Sequence, residues 1–362
     1  MNPRERVLNA IELEDVDVIP YGGAFFSREV ILNLFGETFL RGDPLSQAIF
    51  IARVLNSDVV DLAFAGYPAG PAIFEKIVAE GPDHIVASSP FGGILYWRIK
   101  PYFSLVLSGP VRDEEDLDSI EKPDVDQFMD GVKALRKMIE RIHELGYFVS
   151  VEFKGPFESP WMYLTGGLVN FLKMLTLKPK VAEKSIELAF STMLDLMDLV
   201  MDETEVDAIY ITDDLGDNKG PFISPEKYRK LIKPWHREAA DRVHRKGCKL
   251  WLHSHGNIML LFEDIVETRP DVIEPLDIAD GMKPAELKEK YGDKVCFAGG
   301  ITKNIGYMSV EELEHHIEEI FSTLGPTGFI AREAGGIPTE MTLESFNEYM
   351  TLLHRRRGLW KF

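Results

Sequence analysis

Cysteine is almost missing from this chain, whose 362 residues include only Cys248 and Cys296. Two cysteines exclude a disulfide-dense scaffold and indicate a reducing compartment. Each stands at the start of an apolar run, and we interpret both as buried structural thiols. Thiol catalysis is therefore not expected.

Basic residues are scarce relative to acidic ones. Forty lysines and arginines stand against 59 aspartates and glutamates, which gives a formal charge of −19. Nucleic-acid binding needs a basic surface for phosphate contacts, and anionic membranes attract basic segments, so we expect neither partner. We interpret the one basic cluster, Arg355-Arg356-Arg357, as the favourable C-terminal end of a helix dipole.

Long apolar runs are also absent. Asp195 and Asp198 interrupt even the apolar helical segment around Leu194 to Met201, and no run approaches membrane-spanning length. The first ten residues open an amphipathic helix and lack the apolar core of a signal peptide. We therefore expect a cytoplasmic protein without a membrane partner.

The chain does contain a regular alternation of strand and helix patterns. About eight apolar runs are predicted strands, and they begin near Val16, Asp58, Tyr147, Ala208, Lys249, Asp271, Lys294 and Gly328. Because most are followed by a helical pattern, we predict an α/β fold with a single (β/α)8 TIM-type barrel domain over residues 1–362. A doubly wound open sheet is the alternative, but no Gly-x-Gly-x-x-Gly follows any strand, so its usual nucleotide site is missing.

One segment departs from this alternation. The run from Ile85 to Ile99 is divided at Phe91-Gly92-Gly93, which is typical of two antiparallel strands joined by a turn. We therefore predict a β-hairpin inserted after the second barrel strand.

The fifth predicted strand ends in a His-x-His pair. Side chains alternate between the faces of a strand, so His253 and His255 are expected on one face, at the carboxyl end where barrels keep their chemistry. Two converging neutral imidazoles suit a divalent metal. From the spacing alone a second interpretation stays open, in which one ring binds a carboxylate and the other faces solvent.

Acidic residues recur at the carboxyl ends of other strands, namely Glu152, Asp213, Asp214, Glu274 and Glu333. A ring of carboxylates around two histidines is costly to desolvate without a compensating cation. Catalytic zinc takes three protein ligands and an open position, so the two histidines with either Glu333 or Glu274 are candidate ligands, Glu333 first. Asp213, Asp214 and Glu152 are candidate catalytic residues, and the two aspartates would orient the imidazoles or hold the substrate.

Three further residues are candidates for cofactor binding. Gly335 and Gly336, like the pair Gly299-Gly300, could approach a phosphate or propionate with bare backbone amides, although a glycine pair after a strand is also the ordinary sequence of a tight turn. Asn257 lies in the turn that follows the histidines.

Four segments resemble the uroporphyrinogen decarboxylase superfamily: residues 3–11, 224–234, 253–257 and 333–338. The resemblance spans essentially the whole chain and is specific at the level of the superfamily. It implies a (β/α)8 barrel with its site at the carboxyl rim and one of two activities. These are cofactor-free decarboxylation of uroporphyrinogen, or zinc-assisted methyl transfer between a substrate and the cobalt of a separate corrinoid protein.

Departures from the superfamily motifs favour methyl transfer. The decarboxylases carry an Arg-Gln-Ala-Gly-Arg motif that binds propionates, and the matching residues 22–28 lack it. Their Gly-His-Gly-Ile has become Ala-Gly-Gly-Ile, with Gly335 in place of histidine. The coenzyme M methyltransferases bind zinc with His-x-Cys and a later cysteine, whereas this chain keeps His253 but has His255 and Gly335 at the cysteine positions. Harder nitrogen and oxygen ligands suit polarisation of an oxygen or nitrogen leaving group.

We therefore predict a zinc-assisted methyltransferase. It would move a methyl group between a small methylated ether or amine, or a thiol, and a corrinoid carried by a partner protein. One alternative is decarboxylation of uroporphyrinogen or a smaller acid, with Asp213 or Asp214 holding pyrrole NH groups. The other is a non-catalytic corrinoid- or tetrapyrrole-binding partner.

Overall fold

The central strands form one parallel sheet. The computed structural model describes residues 1–40, 42–62 and 74–358. The strands in these ranges are β1 (Val59–Leu62), β2 (Lys76–Glu80), β3 (His84–Ser88), β4 (Ile94–Arg98), β5 (Phe103–Ser108), β6 (Phe148–Lys154), β7 (Ala208–Thr212), β8 (Gly216–Asp217), β9 (Gly220–Pro221), β10 (Lys249–His253), β11 (Val272–Glu274), β12 (Cys296–Ile301) and β13 (Phe329–Glu333). Seven of them make the parallel sheet, in the order β1-β6-β7-β10-β11-β12-β13.

Helices connect and cover these strands. Those in the described ranges are α1 (Pro3–Ile11), α2 (Arg28–Phe35), α3 (Glu37–Leu40), α4 (Pro44–Leu55), α5 (Glu114–Asp118), α6 (Met129–Glu144), α7 (Glu158–Tyr163), α8 (Leu168–Leu177), α9 (Pro179–Glu203), α10 (Pro225–Leu231), α11 (Lys233–Arg245), α12 (Phe262–Val266), α13 (Pro284–Tyr291), α14 (Val310–Leu324) and α15 (Leu343–Arg356). Every residue of β7 and β12 is buried, as expected of parallel strands that helices cover. None of the described helices has the length and apolar character needed to cross a bilayer.

The segment around Tyr21 links the two edges of the sheet. Tyr21 forms a parallel bridge with Ala331 in β13, and the Gly22 N–H donates to the Ala331 carbonyl at 2.8 Å. On the other side, the Asp58 N–H donates to the Tyr21 carbonyl at 2.8 Å, just before β1. The sheet is therefore curled until its first and last strands approach the same segment.

Two predicted strands differ from the structure. The strand predicted from Val16 is reduced to the bridge at Tyr21, so the regular parallel strands in the described ranges number seven instead of eight. The second predicted strand, 58–64, corresponds to β1, and residues 63 and 64 lie outside the described residues.

A separate antiparallel sheet lies between β1 and β6 in the chain, in the order β2-β3-β4-β5. The predicted hairpin corresponds to β3 and β4, whose turn has Gly92 at φ 93°. The sequence did not predict that β2 and β5 would pair on either side. The segment is thus a four-stranded sheet, larger than a hairpin.

The inside of the curled sheet holds a small buried cluster to which every parallel strand contributes at least one residue: Val59, Phe148, Ala208, Tyr210, Trp251, Val272, Cys296, Ala298 and Ile330. Helix α1 packs Val7, Ala10 and Ile11 against this cluster and closes the amino ends of the strands. Side chains two positions further along a strand share its face. The interior face therefore presents Asp61, Tyr210, His253, Glu274 and Arg332 at the carboxyl ends.

Candidate active site

A cavity of about 300 Å³ lies at the carboxyl ends of the parallel strands. Its ionisable lining residues are Asp61, Glu152, Lys154, Glu158, Tyr210, Asp214, His253, His255, Glu274, Arg332 and Glu333. Apolar residues of α4 and the segment 22–26 line it as well. Most of the residues that the sequence singled out are thus collected in one place.

His253, at the end of β10, is held by its neighbours on the sheet. Its Nδ1 donates to Glu274 Oε1 at 2.8 Å, and the Tyr210 hydroxyl, 2.8 Å from the same nitrogen, donates to that carboxylate oxygen. Burial opposes ionisation of Glu274, but the charge of Arg332 and the hydrogen bond from His253 lower its pKa to about 2. Glu274 is therefore a buried anion that fixes the orientation of the His253 ring.

His255 lies beside His253, with 4.8 Å between the ring centroids and 78° between the ring planes. Its backbone N–H donates to Asp214 Oδ1 at 2.8 Å. Its Nδ1 lies 3.6 Å from Asp280 Oδ2, which is an ion-pair contact too long for a hydrogen bond. Burial opposes protonation of His255, but Asp280 and Asp214 raise its pKa above the usual range. The two imidazoles are thus brought together, each beside its own carboxylate.

Arg332 crosses the interior of the curled sheet. It donates to Asp61 and lies with its Nε 3.6 Å from Glu274 Oε2. Its guanidinium carbon is 5.5 Å from the Tyr210 ring centroid and 5.6 Å from that of Trp251. Burial opposes the charge, but Asp61 and Glu274 raise the pKa of Arg332, so the guanidinium remains a buried cation.

Lys154 and two glutamates form a second charged group. The Lys154 Nζ donates to Glu152 at 2.7 Å and to Thr212 Oγ1 at 2.9 Å, and lies 3.8 Å from Glu158 Oε2. Burial raises the pKa of Glu158 to about 8, although Lys154 opposes this. Glu158 therefore retains its proton at neutral pH. Burial alone would lower the pKa of Lys154, but the neighbouring carboxyl groups raise it, so Lys154 stays charged.

Glu333 lies on the opposite face of β13 from Arg332. The hydroxyls of Tyr21 and Tyr349 both donate to its Oε1. Burial raises the pKa of Glu333 to about 7 despite these two hydrogen bonds. The carboxyl group is held between the sheet and α15 and still contributes to the lining of the cavity.

The predicted zinc site is not assembled in this structure. Among the residues described, no three His, Cys, Asp or Glu side chains are placed where they could hold one ion. Glu333 is out of phase with the interior face of β13 and binds two tyrosines. Glu274 is in phase, but its carboxylate accepts a hydrogen bond from His253. The residues as arranged therefore do not fit a three-ligand zinc site.

Two predicted site residues lie away from the cavity lining that the structure describes. Asp213 is fully buried, accepts from the N–H groups of Phe157 and Glu158 at 2.8 Å each, and lies 2.9 Å from His236 Nε2. It therefore fixes the start of α7, which carries Glu158. Asn257 accepts from the Met259 N–H at 3.3 Å and supports its own turn.

Gly335 and Gly336 do line the cavity, but packing of the chain accounts for Gly336. A Cβ there would lie 2.5 Å from the Phe25 carbonyl oxygen, and its φ is 77°. At Gly335 a Cβ would lie 2.9 Å from the Lys303 Cβ. Close approach of neighbouring segments therefore requires small residues here without any cofactor.

Five residues of the site were not predicted from the sequence: Asp61, Lys154, Glu158, Tyr210 and Arg332. All except Glu158 were detectable from the alternation of side chains along a strand, because each follows a residue of the interior face by an even number of positions. Glu158 follows Lys154 by four residues at the start of a helix, and that spacing carries no specific signal.

The fold and the cavity define a class: an α/β protein whose curled parallel sheet gathers ionisable side chains at the carboxyl ends of its strands. A family profile described as uroporphyrinogen decarboxylase (URO-D) matches residues 101–356. The chain belongs to this family, and the resemblance predicted from its motifs is confirmed.

Two curated relatives carry the name of this family. Uroporphyrinogen decarboxylases of Chlorobium phaeovibrioides and Chlorobaculum tepidum are 24% and 20% identical over 230 residues. Each match covers 60% of this chain and 62% of the relative, so it spans about three fifths of the relatives' length.

A methyltransferase from Methanosarcina mazei has a TM-score of 0.73 at 14% identity, with 99% of this chain and 98% of that chain covered. A B12-independent methionine synthase from Shewanella sp. W3-18-1 has a TM-score of 0.51 at 13% identity, with 94% and 97% covered. At these identities the likeness shows a shared fold.

Proposed function

We propose that this protein is a methyltransferase that moves a methyl group from a small methylated amine or ether to the cobalt of a corrinoid bound to a separate protein. Glu158 carries the proposal, because it is a buried carboxylic acid whose raised pKa of about 8 keeps its proton at neutral pH. A proton donor in a small cavity is what a nitrogen or oxygen leaving group requires. The name of the Methanosarcina mazei neighbour, which covers almost the whole chain, supports the same reaction type.

The charges of the cavity favour this reaction over the decarboxylation that the curated relatives' name states. Uroporphyrinogen is an octa-acid, and six carboxyl groups already line the described cavity. The two lysine and arginine side chains in that lining, Lys154 and Arg332, are paired with Glu152 and Asp61. Because these cations are engaged, carboxylates of a substrate would meet repulsion here. A small neutral or cationic molecule is the better match.

In the proposed step, Glu158 delivers its proton to the heteroatom as the bond to the methyl carbon breaks. The electron pair of that bond remains on the nitrogen or oxygen, and the methyl carbon bonds to Co(I) of the corrinoid, which supplies both electrons. Lys154, 3.8 Å from Glu158 Oε2, stabilises the carboxylate that remains. A proton from solvent then restores Glu158.

Zinc has no part in this step, because the predicted ligands are not gathered. Metal analysis of protein purified without added zinc, beside the variant His253→Ala, tests that prediction separately. If the wild type contained one equivalent of zinc and the variant none, the predicted zinc site would be supported and the described arrangement of its ligands contradicted.

The reaction itself is tested anaerobically with free cob(I)alamin and three separate donors: trimethylamine, dimethylamine and 2-methoxyphenol. We expect methylcobalamin, detected by absorbance and mass spectrometry, with at least one of them. No methylcobalamin with any donor, together with loss of uroporphyrinogen in a parallel assay, would replace methyl transfer by decarboxylation.

A further inference from the structure

Four buried polar atoms of the cavity side chains have no hydrogen-bond partner among the described residues. They are Glu158 Oε2, Glu274 Oε2, Glu333 Oε2 and Arg332 Nη1. The four residues are at most 8% exposed, and all of them line the cavity. Buried polar groups are normally paired, so four such atoms around one cavity indicate a ligand that supplies the missing partners.

These atoms specify the hydrogen bonds that a ligand would make. The oxygens of Glu274 and Glu333 need a donor, the protonated Glu158 can give its proton to a basic group, and one guanidinium N–H needs an acceptor. Even with Glu158 and Glu333 protonated, the four other carboxyl groups of the lining outnumber its two lysine and arginine side chains, so a cationic donor is favoured over a neutral one. The ligand therefore combines a positively charged N–H with an oxygen atom.

The environment of Arg332 restricts that oxygen. The guanidinium already pairs with Asp61 and lies 3.6 Å from Glu274. A carboxylate on the ligand would stand beside both of these anions, whereas a hydroxyl or ether oxygen would accept the hydrogen bond without that repulsion. The acceptor is thus a neutral oxygen.

We propose that the cavity binds a small methylated amine that carries a proton and also a neutral oxygen acceptor, in the manner of an amino alcohol. The ammonium N–H faces the unpartnered oxygen of Glu333, and the oxygen faces Arg332. That the methyl group is then transferred rests on the proposed function. The nitrogen needs one proton in the transfer step, which an ammonium already carries and a neutral amine takes from Glu158.

Calorimetric titration with four probes of similar size tests this ligand. 2-(Dimethylamino)ethanol has both features, N,N-dimethylpropylamine lacks the oxygen, 3-methylbutan-1-ol lacks the charge, and N,N-dimethylglycine carries a carboxylate instead of the hydroxyl. We expect the amino alcohol to bind about tenfold more tightly than each of the other three, since each lacks one charged or buried hydrogen bond or adds repulsion.

Two variants assign the two ends of the ligand. Glu333→Gln keeps an oxygen for Tyr21 and Tyr349 and should weaken the amino alcohol about tenfold while leaving 3-methylbutan-1-ol unchanged. Arg332→Lys keeps the charge beside Asp61 and should remove the preference for the amino alcohol over dimethylpropylamine. Glu187→Gln, on the exposed side of α9, is the matched control and should change neither ratio.

The outcomes separate this inference from the proposed function. Equal binding of the amino alcohol and the uncharged alcohol, or no binding of any probe, overturns the inference. Preferred binding of the amino alcohol without methylcobalamin formation supports the inference and contradicts methyl transfer. Methyl transfer from other donors with no preference for the amino alcohol contradicts the inference alone.

Discussion

Replacement of Glu158 by glutamine tests the central group of the proposed reaction. Glutamine has nearly the same shape and cannot deliver a proton. General acid catalysis commonly contributes a factor of about 10² to 10⁴ to a rate, so we expect Glu158→Gln to slow methyl transfer to cob(I)alamin by about a hundredfold or more. The wild-type rate should fall as pH rises through about 8, where Glu158 loses its proton, and the variant should lack this limb.

The same substitution should stabilise the fold. Burial raises the pKa of Glu158 from 4.5 to about 8, so its contribution to stability is complete below pH 4.5 and is lost as pH rises through 8. By about pH 7 the loss reaches about 3 kcal/mol, from about 2.5 pH units at roughly 1.36 kcal/mol each. The glutamine amide does not titrate. At pH 7 the Glu158→Gln variant should therefore unfold with a free energy up to this amount higher than the wild type, less any loss of contact with Lys154.

The assay therefore pairs a rate with a denaturant titration at the same pH. A slower variant that is as stable as the wild type, or more stable, supports a proton-donating Glu158. A variant that is slower and clearly less stable would mean that the side chain has a structural role. An unchanged rate would refute the reasoning outright, and Glu187→Gln supplies the baseline for both measurements.

Three further predictions concern stability. Burial raises the pKa of Glu333 from 4.5 to about 7, so its contribution to stability is complete below pH 4.5 and is lost as pH rises through 7. Between about pH 4 and 8 the free energy of unfolding should therefore fall by about 3 kcal/mol less in Glu333→Gln than in the wild type, measured by denaturant titration, and an identical pH dependence would contradict this. The pH dependence that Glu274 gives to stability runs in the opposite direction. Arg332 and His253 lower its pKa from 4.5 to about 2 against the effect of burial, so its contribution to the free energy of unfolding is present above pH 4.5 and is lost as pH falls through 2. Glu274→Gln should cost about 3 kcal/mol near neutral pH, and the difference should vanish in acid titrations near pH 2. Trp251→Ala, at a fully buried position inside the curled sheet, should cost about 3–5 kcal/mol in urea unfolding, and a loss below about 1 kcal/mol would contradict the described packing.

Much of the fold was predictable because parallel strands covered by helices are short continuous apolar runs. The strands containing Ala208 and Cys296 are of this kind and were predicted close to their observed bounds. The first predicted strand was not recovered, because its place between the sheet edges is filled by one bridge residue, Tyr21. Edge pairing of β2 and β5 depends on contacts between segments, which an apolar pattern does not reveal.

The site was predictable as far as strand periodicity was applied consistently. Because side chains alternate between the two faces of a strand, Ile330 and Arg332 share the interior face of β13 and Glu333 lies on the outer face. The family resemblance nevertheless favours Glu333 as a zinc ligand, because it stands two residues before Gly335, which replaces a family cysteine. The same rule selects Glu274, which directly partners His253 in the register of β10 and β11.

The proximity of the two histidines has a different cause from the one that predicted it. Strand β10 ends at His253, so alternation no longer fixes His255. The next residue, Ser254, still donates its N–H to the Glu274 carbonyl at 3.0 Å, and Asp214 then accepts the His255 N–H at 2.8 Å. The acid nearest the His255 side chain is Asp280, which ends a 3₁₀ turn over Ile278–Asp280. Such a turn has no periodic apolar pattern, so the carboxylate that raises the pKa of His255 could be found only from the folded chain.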